Sequence, residues 1–146
     1  MPVNDEQIAT LRALLAGRTD EYRQFLGQLE GPTAKTGYTA LTTAAFIKAV
    51  DRRFANNGTV TAVTEFVADI RGRSAGAAAE EIDPSIAERV IRAAISDEDV
   101  DDLDSRSVVN SQMILLAILI DDEQLDDKEL EAFLVNARTL ADQIMD

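Results

Sequence analysis

Carboxylates are the only side chains present in numbers that could organise chemistry, and they are crowded. Residues 97–127 hold eleven acids against a single base, Arg106. Asp97, Glu98, Asp99, Asp101, Asp102 and Asp104 precede an apolar run, and Asp121, Asp122 and Glu123 follow it, with Asp126 and Asp127 close behind. Such a set could bind calcium, hold magnesium for phosphate chemistry, or meet a basic partner. Each use demands a different spacing.

The alternation Asp97, Asp99, Asp101 is how a calcium-binding EF-hand loop opens. That loop then needs glycine where Asp102 stands, an aliphatic residue at Asp104 and a bidentate glutamate at Val108. All three fail. The pairs Glu98-x-x-Asp101 and Glu123-x-x-Asp126 are half of a magnesium cage. The other half, an ExxE on a facing helix, is nowhere in the chain, and phosphate chemistry needs the cage complete. Acids two and three residues apart are expected by chance in so acidic a stretch. The residues therefore point to no catalytic group, no cofactor and no metal.

Other chemistries close quickly. The chain has no cysteine and no histidine. Disulfides, thiolate nucleophiles, zinc fingers, Ser-His-Asp triads and histidine-ligated iron sites cannot be built. Neither GxxxxGK[ST] nor GxGxxG occurs.

The net charge of −13 would repel nucleic acid and anionic membranes, so neither is expected as a partner. The excess is local, since the rest of the chain carries sixteen acids and thirteen bases. The start, MPVNDEQIAT, has neither a basic nor an apolar run. The longest apolar stretch, Met113–Ile120, has eight residues against the ~20 that span a bilayer. A cytoplasmic location is expected.

The elements that must position these acids are helices. Few glycines and prolines, abundant alanine and apolar residues at i, i+3, i+4 support that class. Asn4 and Gln7 form a capping box, with Val3 able to staple onto Ile8. A short helix from Thr19 carries Tyr22, Phe25, Leu26 and Leu29, and Gly31-Pro32 stops it. Residues 32–37 are expected as a loop, followed by a helix from Tyr38 to about Ala55, ended by Asn56-Asn57-Gly58. Thr59 caps a fourth helix with a Val63, Phe66, Val67, Ile70 stripe. Residues 72–82 read as a flexible linker, and Asp83-Pro84 starts the fifth helix. A sixth spans about 106–120. The seventh starts with Asp126 and Glu129 as a second capping box, and its stripe runs from Leu130 to Ile144. Tyr22 and Tyr38 read as core residues with their hydroxyls at the rim.

The sixth helix is apolar nearly all round, which places it inside the bundle or in a dimer seam. Leu115, Leu116 and Leu119 are expected to be almost fully buried. The fold expected is all-α: a single-domain orthogonal bundle of six or seven helices around this central apolar helix.

The acidic block stands above that background in two rims, one at each end of the sixth helix. One reading makes it a solvated surface with capping acids. The other makes Asp97, Glu98, Asp99, Asp101, Asp102, Asp104, Asp121, Asp122 and Glu123 a docking face for a basic protein partner. On that reading the chain is a non-catalytic interaction or regulatory protein, of the immunity or adaptor kind. Replacing Asp99, Asp101 and Asp102 by asparagine should then leave or raise stability. A carboxylate-metal enzyme acting on a phosphorylated small molecule is the alternative, and a structural homodimer the second. Arg52, Arg53, Arg71, Arg73, Arg89 and Arg92 lie near helix ends. The dipole there suits Arg52, Arg53 and Arg71, and the alternative is that the arginines fold against the acids.

Overall fold

The computed structural model describes residues 3–29, 31–73, 83–96 and 98–145. Among them are seven helices and no strand: α1 (Asp5–Leu15), α2 (Thr19–Gln28), α3 (Gly31–Phe54), α4 (Val60–Arg73), α5 (Pro84–Ser96), α6 (Ser105–Glu123) and α7 (Asp127–Met145). The helices pack as one all-helical bundle. None is long and apolar enough to cross a membrane. Asp97 and residues 74–82 of the expected linker lie outside the described residues, while Gly72 and Arg73 belong to α4.

Local hydrogen bonds start the helices where short-range signals stand. Asn4 Oδ1 accepts from the Gln7 amide at 2.9 Å while Gln7 Oε1 accepts from the Asn4 amide at 2.9 Å. Asp126 and Glu129 make the same reciprocal pair at 2.7 and 3.1 Å. Thr59 Oγ1 accepts from Ala62, and Asp83 Oδ1 from Ile86. Each satisfies one of the free amides of a first turn.

The loop expected at 32–37 is helix. Gly31, at φ +83°, turns the chain, and α3 runs unbroken from there for 24 residues, about 36 Å. Pro32 lies in the first turn, where a missing N–H loses no bond, so it begins this helix instead of barring it. The early turns are fixed from a distance. The buried Gln7 side chain donates from Nε2 to the Ala34 carbonyl at 2.8 Å. It also lies flat on Gly37, where any Cβ would collide with its carboxamide.

Two helices share the centre. α6 buries Leu115, Leu116, Leu119 and Ile120, as its apolar run demands. α3 lies beside it and also meets α1, α5 and α7. Ala44, Ala45 and Ala49 are fully buried along α3, and side chains this small let neighbours approach. Phe46, Leu41 and Val50 fill the gaps between. The α4 stripe is buried as expected, and Phe54 meets Phe66 edge-on at 5.6 Å. The α7 stripe is buried at Leu130, Phe133, Leu134, Ala137 and Ala141 and half-buried at Leu140, while its last member, Ile144, is 48% exposed.

Candidate acidic interaction surface

The eight described acids of the expected docking face divide between the two ends of α6, whose 19 residues span about 28 Å. At its start, the loop after α5 is tied down residue by residue. Arg89 forks onto Asp102, with both contacts at 2.7 Å, and reaches the Asp99 carbonyl at 3.0 Å. One turn further along α5, Arg92 Nε meets Glu98 at 3.1 Å. Asp99 Oδ1 accepts from the Asp101 amide at 2.7 Å, a side-chain-closed turn. Asp104 accepts from the Ser107 amide at 3.1 Å and caps α6. The cap is therefore Asp104, with Ser105 the first helical residue.

At the other end the physics reverses. Asp121, Asp122 and Glu123 occupy the last turn of α6, where the helix dipole disfavours negative charge. Arginines from other elements answer them. Arg52, in the last turn of α3, holds Glu123 through Nε at 2.9 Å and Nη2 at 2.6 Å. Arg73, the last residue of α4, holds Asp122 at 2.8 and 3.1 Å and Asp69 at 3.1 Å. Gln124, in the left-handed conformation at φ 50°, stops the helix, and its amide and side chain both bond the Asp121 carbonyl.

Four arginines from outside the segment thus meet four of its eleven acids, lowering the local excess of charge from ten to six. Paired carboxyls and guanidiniums stabilise each other's charged forms. Asp102 is held below the ordinary carboxylate range by its bond to Arg89, and Arg89 is raised by the same bond. Arg52 and Arg73 are raised through Glu123 and Asp122. Six of the nine acids assigned to docking from sequence therefore have structural work: Glu98, Asp99, Asp102, Asp104, Asp122 and Glu123. Asp101 and Asp121 are exposed with no side-chain partner among the described residues, as is Asp127. Asp97 lies outside the described residues.

The acids do not converge. Among the described residues no three carboxylates stand together in a geometry that could hold a metal ion. A shallow groove between the end of α1 and the α6–α7 turn is lined by Leu15, Arg18, Ile120, Asp121, Leu125 and Asp127. Deeper in, the Tyr38 hydroxyl is buried instead of lying at the rim. It has no hydrogen bond of normal geometry, and burial raises its pKa far above that of a free phenol.

Sequence reasoning missed which acid each arginine takes. The one local signal is at α5, where Arg89 and Arg92 share a face immediately before the acidic loop. No family model, no curated protein and no solved structure matches the chain.

Proposed function

We propose that this chain is a non-catalytic helical interaction protein that engages a basic protein partner through the two acidic ends of α6. The observation that carries the reading is the division among its acids. Asp101 at one end and Asp121 and Asp127 at the other are exposed with no side-chain partner among the described residues, beside carboxylates that arginines of the same chain only partly neutralise. The ion pairs around them are surface pairs, and such pairs contribute about 1 kcal/mol or less. A partner's arginines can therefore replace the chain's own at little cost, while the unpartnered acids gain contacts they lack. Patches about 28 Å apart suit a broad protein surface better than a small ligand. Acids that fan outward favour this reading over a carboxylate-metal enzyme.

The test begins with affinity capture from the native cell at low and high salt, followed by titration of the purified partner. Replacing Asp101 and Asp121 by asparagine should weaken association roughly three- to tenfold and flatten its dependence on salt. A partner bound with unchanged affinity and salt slope by that variant would end the proposal.

A further inference from the structure

Among the described helices α2 is the least anchored. It buries none of its own residues, and its main neighbour is α1. Each of α1, α4, α5, α6 and α7 opens on a side chain that accepts from a first-turn amide: Asn4, Thr59, Asp83, Asp104 and Asp126. Arg18, at the start of α2, makes no such bond. Gly27 lies inside the helix, where glycine is destabilising, and a Cβ there would meet nothing within 4 Å, so packing does not demand it. Ten residues are also too few for a helix to persist in water without its tertiary contacts.

The neighbours of α2 do not depend on it. Gly17, at φ +75°, ends α1, and the Gly17 and Arg18 amides bond the Leu14 and Ala13 carbonyls. On the other side the first turns of α3 are held by Gln7 of α1 through the Ala34 carbonyl. Leu29, just past α2, is buried and anchors its far end.

What α2 covers is itself unsatisfied. Tyr22 is the α2 side chain that packs against the core, and its phenol lies beside that of Tyr38 on α3. Tyr38 is 7% exposed, and its hydroxyl is the one buried side-chain polar atom among the described residues without a hydrogen-bond partner. A hydroxyl buried unpaired keeps its desolvation penalty and gains no bond in return. Moving Tyr22 away lets water reach it, so this hydroxyl opposes the closed position of α2.

We infer that α2 is a strap: between Arg18 and Leu29 it opens and recloses as a unit while the other helices stay packed, and each opening admits water to Tyr38. Such local opening requires only the contacts of one weakly held element to be released. The pairs that hold the acidic ends of α6 come from α3, α4 and α5, so opening leaves those ends in place.

Hydrogen exchange of the whole chain, read by mass spectrometry, tests the strap. Amides of residues 22–28 should exchange together, on the order of 100-fold faster than those of residues 41–50 and 115–120. Tyr38→Phe removes the unpaired hydroxyl and should slow exchange in α2 roughly five- to tenfold. Gly27→Ala strengthens the closed helix and should slow it about two- to fivefold. Nitration of Tyr38 by tetranitromethane should slow in step with that variant, and no cysteine is present to compete for the reagent. Exchange in residues 22–28 no faster than in α6, α2 exchange unchanged in Tyr38→Phe, or Tyr38 nitration indifferent to Gly27→Ala would each overturn the inference. The Asp101 and Asp121 substitutions should leave α2 exchange as it is, so the strap and the acidic surface fail or stand separately.

Discussion

The two ends of α6 look alike in composition and work by opposite rules. At the start, Asp104 sits where the helix dipole favours a negative charge and caps the free amides, while Arg89 and Arg92 approach from the neighbouring α5 and close the loop upon itself. At the end, Asp121, Asp122 and Glu123 sit where the dipole disfavours them, and cations arrive from the far ends of α3 and α4. One rim is held by local geometry. The other depends on three helix ends meeting in space. Acid content alone therefore says little about function, because the same residue type is a cap, an ion-pair partner or an idle charge according to its place.

The largest expected effect concerns the beam that joins the two ends. Leu116 is fully buried, and Leu116→Ala should lower unfolding free energy by about 2–5 kcal/mol through lost transfer energy and the cavity left behind. Denaturant melts measure it, and a loss below about 1 kcal/mol would remove α6 from the core.

Next comes the local end. Asp104→Ala removes the cap of α6 and should cost about 0.5–2 kcal/mol, while Asp104→Ser should restore most of it. Equal losses for both would make charge, not capping, the task of Asp104.

The tertiary end should respond less. Arg52→Gln leaves Glu123 unpaired beside two other acids at a helix C-terminus, for a loss of about 0.5–1 kcal/mol that shrinks in high salt. Adding Glu123→Gln should recover part of the loss, since the unfavourable charge leaves with it. A double variant less stable than Arg52→Gln would contradict the dipole argument.

The smallest effect is acid sensitivity. Asp102 and Glu131 are both held below the ordinary carboxylate range, Asp102 by Arg89 and Glu131 by Arg12. Such a group stabilises the fold fully above its unfolded pKa of about 4 and loses that contribution as pH falls through its lower folded value. Melting temperatures recorded from pH 6 to about pH 2 should fall less for Asp102→Asn than for the wild type in the acid part of that range. Parallel profiles would deny Asp102 its partner.

What was legible in the sequence is what short-range physics decides. The Asn4–Gln7 and Asp126–Glu129 boxes, the Asp83-Pro84 start and the α4 stripe all follow from contacts within one or two turns, and each is present. The beginning of α3 was not, because Gly31-Pro32 is equally a stop and a start. The choice is made by Gln7, 27 residues away, bonding Ala34. Asn56-Asn57-Gly58 does end α3, yet without the left-handed turn such residues permit: Gln124, Gly17 and Gly31 are the described residues with positive φ. The candidate surface was legible as a concentration of charge and illegible as a set of roles. Asp102 reads as a free acid until α5 places Arg89 over it, and of Asp99, Asp101 and Asp102 only Asp101 has no side-chain partner among the described residues.

That division of roles is tested most directly by neighbours in sequence. Asp102 and Asp122 hold arginines, whereas Asp101 and Asp121, each one residue earlier, hold none among the described residues. Two double variants, Asp102→Asn with Asp122→Asn and Asp101→Asn with Asp121→Asn, remove the same charge from the same two places. The decisive measurement is the difference between their melting temperatures in low salt. The account predicts a clearly lower value for the Asp102/Asp122 pair, a value at or above wild type for the Asp101/Asp121 pair, and a gap that narrows as salt is added. Equal melting of the two, or a lower value for the Asp101/Asp121 pair, would contradict it.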